Sequence, residues 1–219
     1  MEVFIMKTMR TELVFVLDRS GSMAGLESDT IGGFNSVLEK QRKEPGDAAV
    51  TTVLFDREYE LLHDRFDIHN VKPITGEQYF VRGSTALLDA VGRTINKTAN
   101  VQRNISETER AEKVMFVIIT DGMENASHEF SYPTIKKMIE FEKEKYEWEF
   151  IFLGANMDAD EVASRYGIHK SRAVNYHADA QGLKNSYDKI NEAVRDVRQD
   201  KFDAINWKKS AEKDFHERK

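Results

Sequence analysis

The chain has 219 residues, of which 40% are hydrophobic and 32% charged, which suits one α/β domain with a buried core and excludes a disordered polypeptide. The 38 acidic and 32 basic residues are well mixed and give a net charge of −6, which argues against a nucleic-acid partner. The absence of cysteine excludes disulfides, thiolate nucleophiles and cysteine-ligated zinc.

The N-terminal residues 1–7 lack the apolar core of a signal peptide. No later run reaches the roughly 18 apolar residues that a membrane-spanning helix needs. We therefore expect a cytoplasmic protein that has no membrane partner.

Six short segments of the chain are predicted to be strands. Four are apolar runs rich in Val, Ile and Phe, a pattern typical of a parallel sheet that is covered on both faces: residues 13–17, 50–55, 114–119 and 148–153. Residues 59–63 are expected to pair back onto 50–55 through a hairpin turn at Asp56, as one antiparallel edge strand. Residues 173–176 form a shorter sixth strand.

Helical periodicity fills the intervals between these strands. Apolar residues recur at helical spacing in four segments, namely 31–38, 87–95, 135–142 and 183–197. Strands that alternate with helices predict a doubly wound sheet with helices on both faces. We assign residues 1–207 to this one domain and expect residues 208–219, which are mostly charged, to be a tail or a frayed helix end.

Polar side chains cluster where the predicted strands end. Asp18-Arg19-Ser20-Gly21-Ser22 follows the first strand, Thr120-Asp121-Gly122 follows the strand at 114–119, and Thr85 precedes a predicted helix. In an open parallel sheet, ligands bind outside the carboxyl ends of the strands, near the point where the strand order reverses. The three segments are therefore expected to meet at one edge of the sheet, with Gly21 permitting the bend of the first loop.

The side chains at this edge are all hard oxygen donors. Mg²⁺ prefers such ligands in near-octahedral geometry, and Mn²⁺ and Ca²⁺ are alternatives. Two aspartates balance the charge of a divalent ion, so an incompletely coordinated ion would still attract a carboxylate from outside. That arrangement favours binding rather than catalysis.

Together these segments resemble the metal-ion-dependent adhesion site (MIDAS) of von Willebrand factor A (VWA) domains, and the likeness runs from the first strand to the last helix. Residues 152–159 also resemble a segment of stand-alone bacterial and phage versions of the domain. The resemblance implies a three-layer, Rossmann-like fold. It further implies that Ser20 and Ser22 coordinate the metal directly, and that Thr85, Asp18 and Asp121 do so directly or through water.

The resemblance also implies a partner and no catalysis. A Glu or Asp of a protein partner would fill the sixth coordination position, and an ATPase or an assembly protein is a plausible partner. The rival hypothesis is a Mg²⁺-dependent phosphohydrolase with Asp18 as nucleophile. That chemistry needs an acid/base carboxylate two positions later, where the chain has Ser20. A structural domain with a vestigial site is the third alternative.

Several neighbouring residues have more than one interpretation. Thr85 can cap the following helix, bind metal or do both. Glu124 and Asn125 either support the metal ligands or have no part in the site. Arg19 and Met23 flank the loop and are predicted to be exposed for contact with a partner, whereas Trp148 and Trp207 are predicted to lie in the core.

Overall fold

A six-stranded sheet organises the chain, of which the computed structural model describes residues 10–218. The sheet order is β3-β2-β1-β4-β5-β6, and every neighbouring pair is parallel except β2 with β3. This confirms the predicted doubly wound sheet with one antiparallel edge strand. The strands are β1 (Thr11–Asp18), β2 (Ala48–Phe55), β3 (Tyr59–Asp67), β4 (Lys113–Thr120), β5 (Glu149–Ala155) and β6 (Ala173–Tyr176).

Helices cover both faces of this sheet. On one face, α1 (Glu27–Gln41) and α5 (Ala180–Arg198) pack against it, and α2 (Leu87–Asn104), α3 (Tyr132–Tyr146) and α4 (Ala159–Arg165) cover the other. Short 3₁₀ turns span Gly21–Met23 and Lys170–Arg172.

Within residues 10–218, no helix is both long and apolar enough to cross a membrane. The prediction about residues 1–7 lies outside the described residues.

The neighbouring strands β1 and β2 are buried along their whole length. Every residue of β1 and β2 is buried. Alternate side chains of β1 enter different cores, since Phe15 packs with α1 and α5 whereas Val16 packs with α2 and α3. Both cores need apolar side chains, which is why these strands appear in the sequence as continuous apolar runs. Trp148 and Trp207 are buried as predicted.

The C-terminal segment, which the sequence predicts to be a charged tail or a frayed helix end, is helical. Residues 204–217 form α6 (Ala204–Ala211) and α7 (Lys213–Glu217), which pack beside β6. The buried Glu212 accepts a hydrogen bond from the backbone N–H of Asn175 at 3.1 Å, and the Phe215 ring stacks on His177 at a centroid distance of 4.7 Å. These contacts hold the segment against β6.

Candidate metal centre

The topology of the sheet brings the two candidate aspartates together. Asp18 ends β1 and Asp121 directly follows β4, and these two strands are parallel neighbours with Leu17 opposite Ile119. The chain leaves β1 toward β2 on one side, whereas β4 and β5 lie on the other, so the strand order reverses at this point. Both carboxylates therefore occupy the position where ligands of such sheets bind.

Three hydroxyl groups from two loops form a cluster beside these aspartates. Ser20 Oγ lies 3.0 Å from Ser22 Oγ, and Thr85 Oγ1 donates to Ser20 Oγ at 3.0 Å. A Cβ atom on Gly122 would lie 2.7 Å from Ser22 Oγ and 2.9 Å from Thr85 Oγ1. The space between the hydroxyls and the backbone of Gly122 therefore exists only because residue 122 has no side chain.

Asp18 is buried and accepts hydrogen bonds through both carboxylate oxygens. Oδ1 accepts from the backbone N–H of Ser20 at 2.7 Å, and Oδ2 accepts from Thr120 Oγ1 at 2.6 Å. Burial raises the pKa of Asp18 to about 6; the hydrogen bonds from Thr120 and Ser20 oppose this rise, and the nearby Asp121 adds to it. Burial thus disfavours the ionised form of Asp18 unless a positive charge lies close to it.

Asp121 is also buried, but within residues 10–218 neither of its carboxylate oxygens has a hydrogen-bond partner. Burial raises its pKa, although the nearby Ser22 hydroxyl favours the charged form without a bond of normal geometry. A buried carboxylate without donors is unfavourable unless a cation balances it. The donor set thus fits a divalent cation.

The groups around the candidate ligands hold Thr85 and Asp18 in place. Asn125 Oδ1 accepts from the backbone N–H of Thr85 at 2.9 Å, and Tyr79 OH donates to the carbonyl of Asp18 at 2.5 Å. Glu124 Oε2 accepts from the N–H of Leu88 in the first turn of α2, at 2.8 Å. Asn125 therefore supports Thr85, one of the two roles that the sequence left open for it, whereas Glu124 accepts from the start of α2 instead. No sequence pattern indicated Tyr79.

Thr85 does not cap α2. The helix begins at Leu87, and its N-cap residue, Ala86, makes no side-chain cap. The Thr85 hydroxyl instead points to Ser20. The capping interpretation is therefore wrong, because the Glu124 carboxylate takes that role.

The predicted exposure of Arg19 and Met23 is also wrong, since the exposed fractions of these side chains are 0% and 1%. The backbone N–H of Arg19 donates to the carbonyl of Phe55 at 2.8 Å, which holds the start of the loop against β2, and Arg19 Nε reaches Asp56 Oδ2 at 3.1 Å. Met23 packs in the core beneath the 3₁₀ turn. Met123, which follows Gly122, is a large exposed apolar side chain, at 54%.

A glycine in the loop that carries Thr85 has a left-handed backbone conformation. Gly83 has a φ of +66°, whereas Gly21 does not adopt a positive φ. The N–H of Gly21 donates to the carbonyl of Gly83 at 3.1 Å. Gly21 thus lies at a close approach of the two loops and begins the 3₁₀ turn of the first loop without a positive φ.

The site opens to solvent on the Ser22 side. An open cavity of ≈ 520 Å³ is lined by Ser22 and Asp121 together with the ends of α1 and α5. Its walls include the small residues Ala24, Gly25, Ala178 and Ala180. Within the described part of the chain, no three His, Cys, Asp or Glu side chains form a group that could hold a metal, so cation binding here would depend on the hydroxyls.

The fold, though not the sequence, has clear counterparts among solved structures. No known family model and no curated protein matches the chain. One counterpart is a structure of proximal thread matrix protein 1 from the mussel byssus, described with a zinc-occupied MIDAS motif. Its sequence is 13% identical to this chain, and the TM-score is 0.58. The match covers 86% of this chain and 46% of that protein's chain. The ArnB paralog VWA2 from Sulfolobus acidocaldarius is 17% identical with a TM-score of 0.52 over 83% and 45%.

These neighbours establish the VWA fold for the chain. The chain spans a little under half the length of the solved chains that it matches. At this level of identity the likeness concerns architecture, so the chemistry of the site must be argued from the residues of this chain.

Proposed function

We propose that the chain is a metal-dependent protein-interaction module that binds an acidic group of a partner. The observation that carries this proposal is the pair of unpartnered oxygens of the buried Asp121, beside a cluster of three hydroxyls. The residues that would hold the cation are Asp18, Ser20, Ser22, Thr85 and Asp121.

Mg²⁺ fits this set best, with Mn²⁺ and Ca²⁺ as alternatives. All five side chains offer hard oxygen donors, and none offers the imidazole or thiolate ligands that favour zinc or copper. Two carboxylates neutralise a divalent ion without saturating it. A bound cation would supply a Lewis-acidic position for an oxygen donor from outside.

The partner is proposed to bring a Glu or Asp carboxylate to the open side of the site. Ser22 is exposed whereas Asp18, Ser20 and Thr85 are buried, so an external group reaches the site past Ser22. Small side chains in the adjoining cavity leave room for a partner's backbone. We propose an ATPase or an assembly protein as this partner, in the cytoplasm and without nucleic acid or membrane involvement.

The geometry disfavours the phosphohydrolase alternative. A nucleophilic carboxylate needs a free oxygen that faces the substrate. Both oxygens of Asp18 accept short hydrogen bonds, and only 1% of this residue is exposed. The hydroxyl of Ser20, at the position where an acid/base carboxylate would stand, contacts Ser22 and Thr85 instead. We therefore propose a function without turnover.

Thermal unfolding in Mg²⁺, Mn²⁺ or EDTA tests whether the protein binds a divalent cation. A ligand at a hundred times its Kd stabilises the folded state by about 2.7 kcal/mol, so the Tm should rise with either ion. Ser22→Ala and Asp121→Ala should remove this rise, whereas Ser28→Ala, an exposed serine on α1, should keep it. An unchanged Tm of the parent protein at saturating ion concentrations would refute the metal site.

The acidic partner is tested separately on the metal-loaded protein. A peptide with a single Glu should perturb the NMR signals around Ser22 in Mg²⁺ but not in EDTA, and its Gln counterpart should have no effect. Equal binding of both peptides would contradict carboxylate recognition. Release of phosphate from a generic phosphoester that is lost in Asp18→Asn would favour the enzyme.

A further inference from the structure

A buried carboxylate outside the candidate ligand set joins the loops that carry the ligands. Asp56, at the end of β2, is 2% exposed. Its Oδ2 accepts from Arg19 Nε at 3.1 Å and from Arg82 Nε at 2.7 Å. Its Oδ1 accepts from the backbone N–H of Glu58 at 2.7 Å, which retains the predicted hairpin turn. Asp56 therefore does more than form a turn.

The backbone follows the same connections. The N–H of Arg82 donates to the carbonyl of Arg19 at 2.9 Å, and the N–H of Ala86 donates to the carbonyl of Asp56 at 2.9 Å. Arg19 immediately precedes Ser20, and Arg82 lies three residues before Thr85. One carboxylate thus connects the serine loop, the threonine loop and the β2–β3 hairpin.

The two arginines are held from several sides. Arg19 Nη1 contacts Glu60 Oε2 at 2.6 Å, and the guanidinium groups of Arg19 and Arg82 lie 5.7 and 5.4 Å from the centroid of the Phe80 ring. Arg19 is fully buried. A buried arginine is unfavourable without its acceptors, so this arrangement resists any shift of one loop relative to the other.

We propose that Arg19, Asp56 and Arg82 are positioning residues, which set the hydroxyls of Ser20 and Ser22 against that of Thr85 before a cation binds. This inference rests on the proposed metal-binding function. Groups that orient metal ligands from behind increase metal affinity because the ligands need no reordering on binding. None of the three needs to touch the cation.

The direction in which the cation affinity changes distinguishes a positioning role of the arginines from a purely electrostatic one. Removing a positive charge near a cation site should strengthen cation binding if only charge matters. Positioning predicts the opposite result for the same substitution. Arg19→Met and Arg82→Met should therefore weaken binding, and Arg82 is a safe second variant because its side chain is 39% exposed.

The first measurement is Mn²⁺ affinity, with the ion alone as the probe, by electron paramagnetic resonance. We expect Arg82→Met and Arg19→Met to raise the Kd by about tenfold or more, which is typical for groups that orient metal ligands. The matched control is Arg65→Met, since Arg65 pairs with the buried Glu12 at 2.9 Å near the other end of β1. This variant should leave the Kd unchanged whatever it does to stability. An equal or lower Kd in both test variants would overturn the proposal.

The second measurement needs no metal and separates this inference from the proposed function. In EDTA, amide hydrogen exchange should accelerate at Gly21, whose N–H donates to the carbonyl of Gly83, in the test variants but not in Arg65→Met. If the parent protein binds no Mn²⁺, the proposed function fails, and the exchange result alone decides whether the arginines set the loops. Unchanged exchange at Gly21 would overturn positioning even if the parent protein binds the metal.

Discussion

The hydroxyl of Thr120 donates a hydrogen bond to Asp18 Oδ2 over 2.6 Å and so links the ends of the neighbouring strands β4 and β1. The same hydroxyl accepts from the N–H of Gly122 at 3.2 Å, which fixes the turn that carries Asp121. Thr120 therefore holds the two candidate carboxylates in register from beneath.

Replacement of Thr120 by Val tests this link. The substitution keeps the shape of the side chain but leaves Asp18 Oδ2 without a donor, and hydrogen bonds to charged groups contribute about 1.5–3 kcal/mol. We expect the free energy of unfolding in urea, without metal at pH 7.5, to fall by that amount. The control is Thr98→Val, because the buried Thr98 hydroxyl has no partner in the described part of the chain and its loss should cost nothing. Equal losses in both variants would contradict the role of Thr120.

Gly122→Ala tests whether metal binding needs the space beside Gly122. The added Cβ would lie 2.7 Å from Ser22 Oγ, so the hydroxyl cluster must open and the rise of Tm with Mg²⁺ should disappear. Gly32→Ala is the matched control, since a Cβ on this α1 residue meets nothing within 4 Å. The control should keep the metal response and gain up to about 1 kcal/mol of stability. A full metal response in Gly122→Ala would show that the cation lies elsewhere.

The apolar pattern of the sequence was sufficient to predict the sheet. Burial on both faces requires continuous apolar runs such as residues 13–17, and the hairpin turn at Asp56 indicated the edge strand. All six predicted strands, and the antiparallel pairing of β3, are confirmed. The convergence of Asp18, Ser20, Ser22, Thr85 and Asp121 also followed, because strand ends in a parallel sheet share one edge. Their role as metal ligands stays a prediction.

Side-chain direction within loops was not predictable in the same way. Arg19 is charged, and its burial is explained by contacts with residues far away in the chain, such as Asp56, 37 residues away. The order of α6 and α7 depends on similar long-range contacts, such as that of Glu212 with Asn175. No local periodicity records such pairings, because each depends on the completed fold.

The packing of the C-terminal segment is tested by Trp207→Ala. Trp207 is buried, and its Nε1 donates to the carbonyl of Lys189 at 2.9 Å, so α6 is anchored to α5. Loss of a buried tryptophan costs about 3–5 kcal/mol of unfolding free energy. The matched control is Ile205→Ala, which removes a side chain that is 73% exposed and should change stability by less than about 0.5 kcal/mol. A cost below that of the control would mean that the segment contributes nothing to the fold.

Asp121→Asn separates stability from binding. Burial disfavours the charge of Asp121, and its oxygens have no hydrogen-bond partner of normal geometry among the described residues, so the neutral amide should stabilise the metal-free protein. The same change removes half of the anionic charge that would balance a cation, so the rise of Tm with Mg²⁺ should vanish. Urea unfolding in EDTA and thermal unfolding in Mg²⁺ measure the two effects. Destabilisation of the metal-free variant would mean that Asp121 has a structural partner.

The pKa of Asp18 predicts how stability and metal binding depend on pH. The pKa is about 6 in the folded protein and 3.8 in the reference state, so the folded state binds the proton more tightly. The contribution of this group to the stability of the metal-free protein is therefore full below pH 3.8 and is lost as the pH rises through 6. A cation competes with that proton, so metal affinity should fall as the pH drops below 6.

Thermal unfolding at pH 5.0 and 7.5, in Mg²⁺ and in EDTA, measures this dependence. We expect a larger rise of Tm with Mg²⁺ at pH 7.5, because the carboxylate is ionised there and a cation restores the stability that ionisation removes. In Asp18→Asn, the stability of the metal-free protein should no longer show the change between about pH 4 and 6 that Asp18 contributes. A rise of Tm that is equal at both pH values would mean that Asp18 is already ionised at pH 5.0, contrary to the effect of its burial.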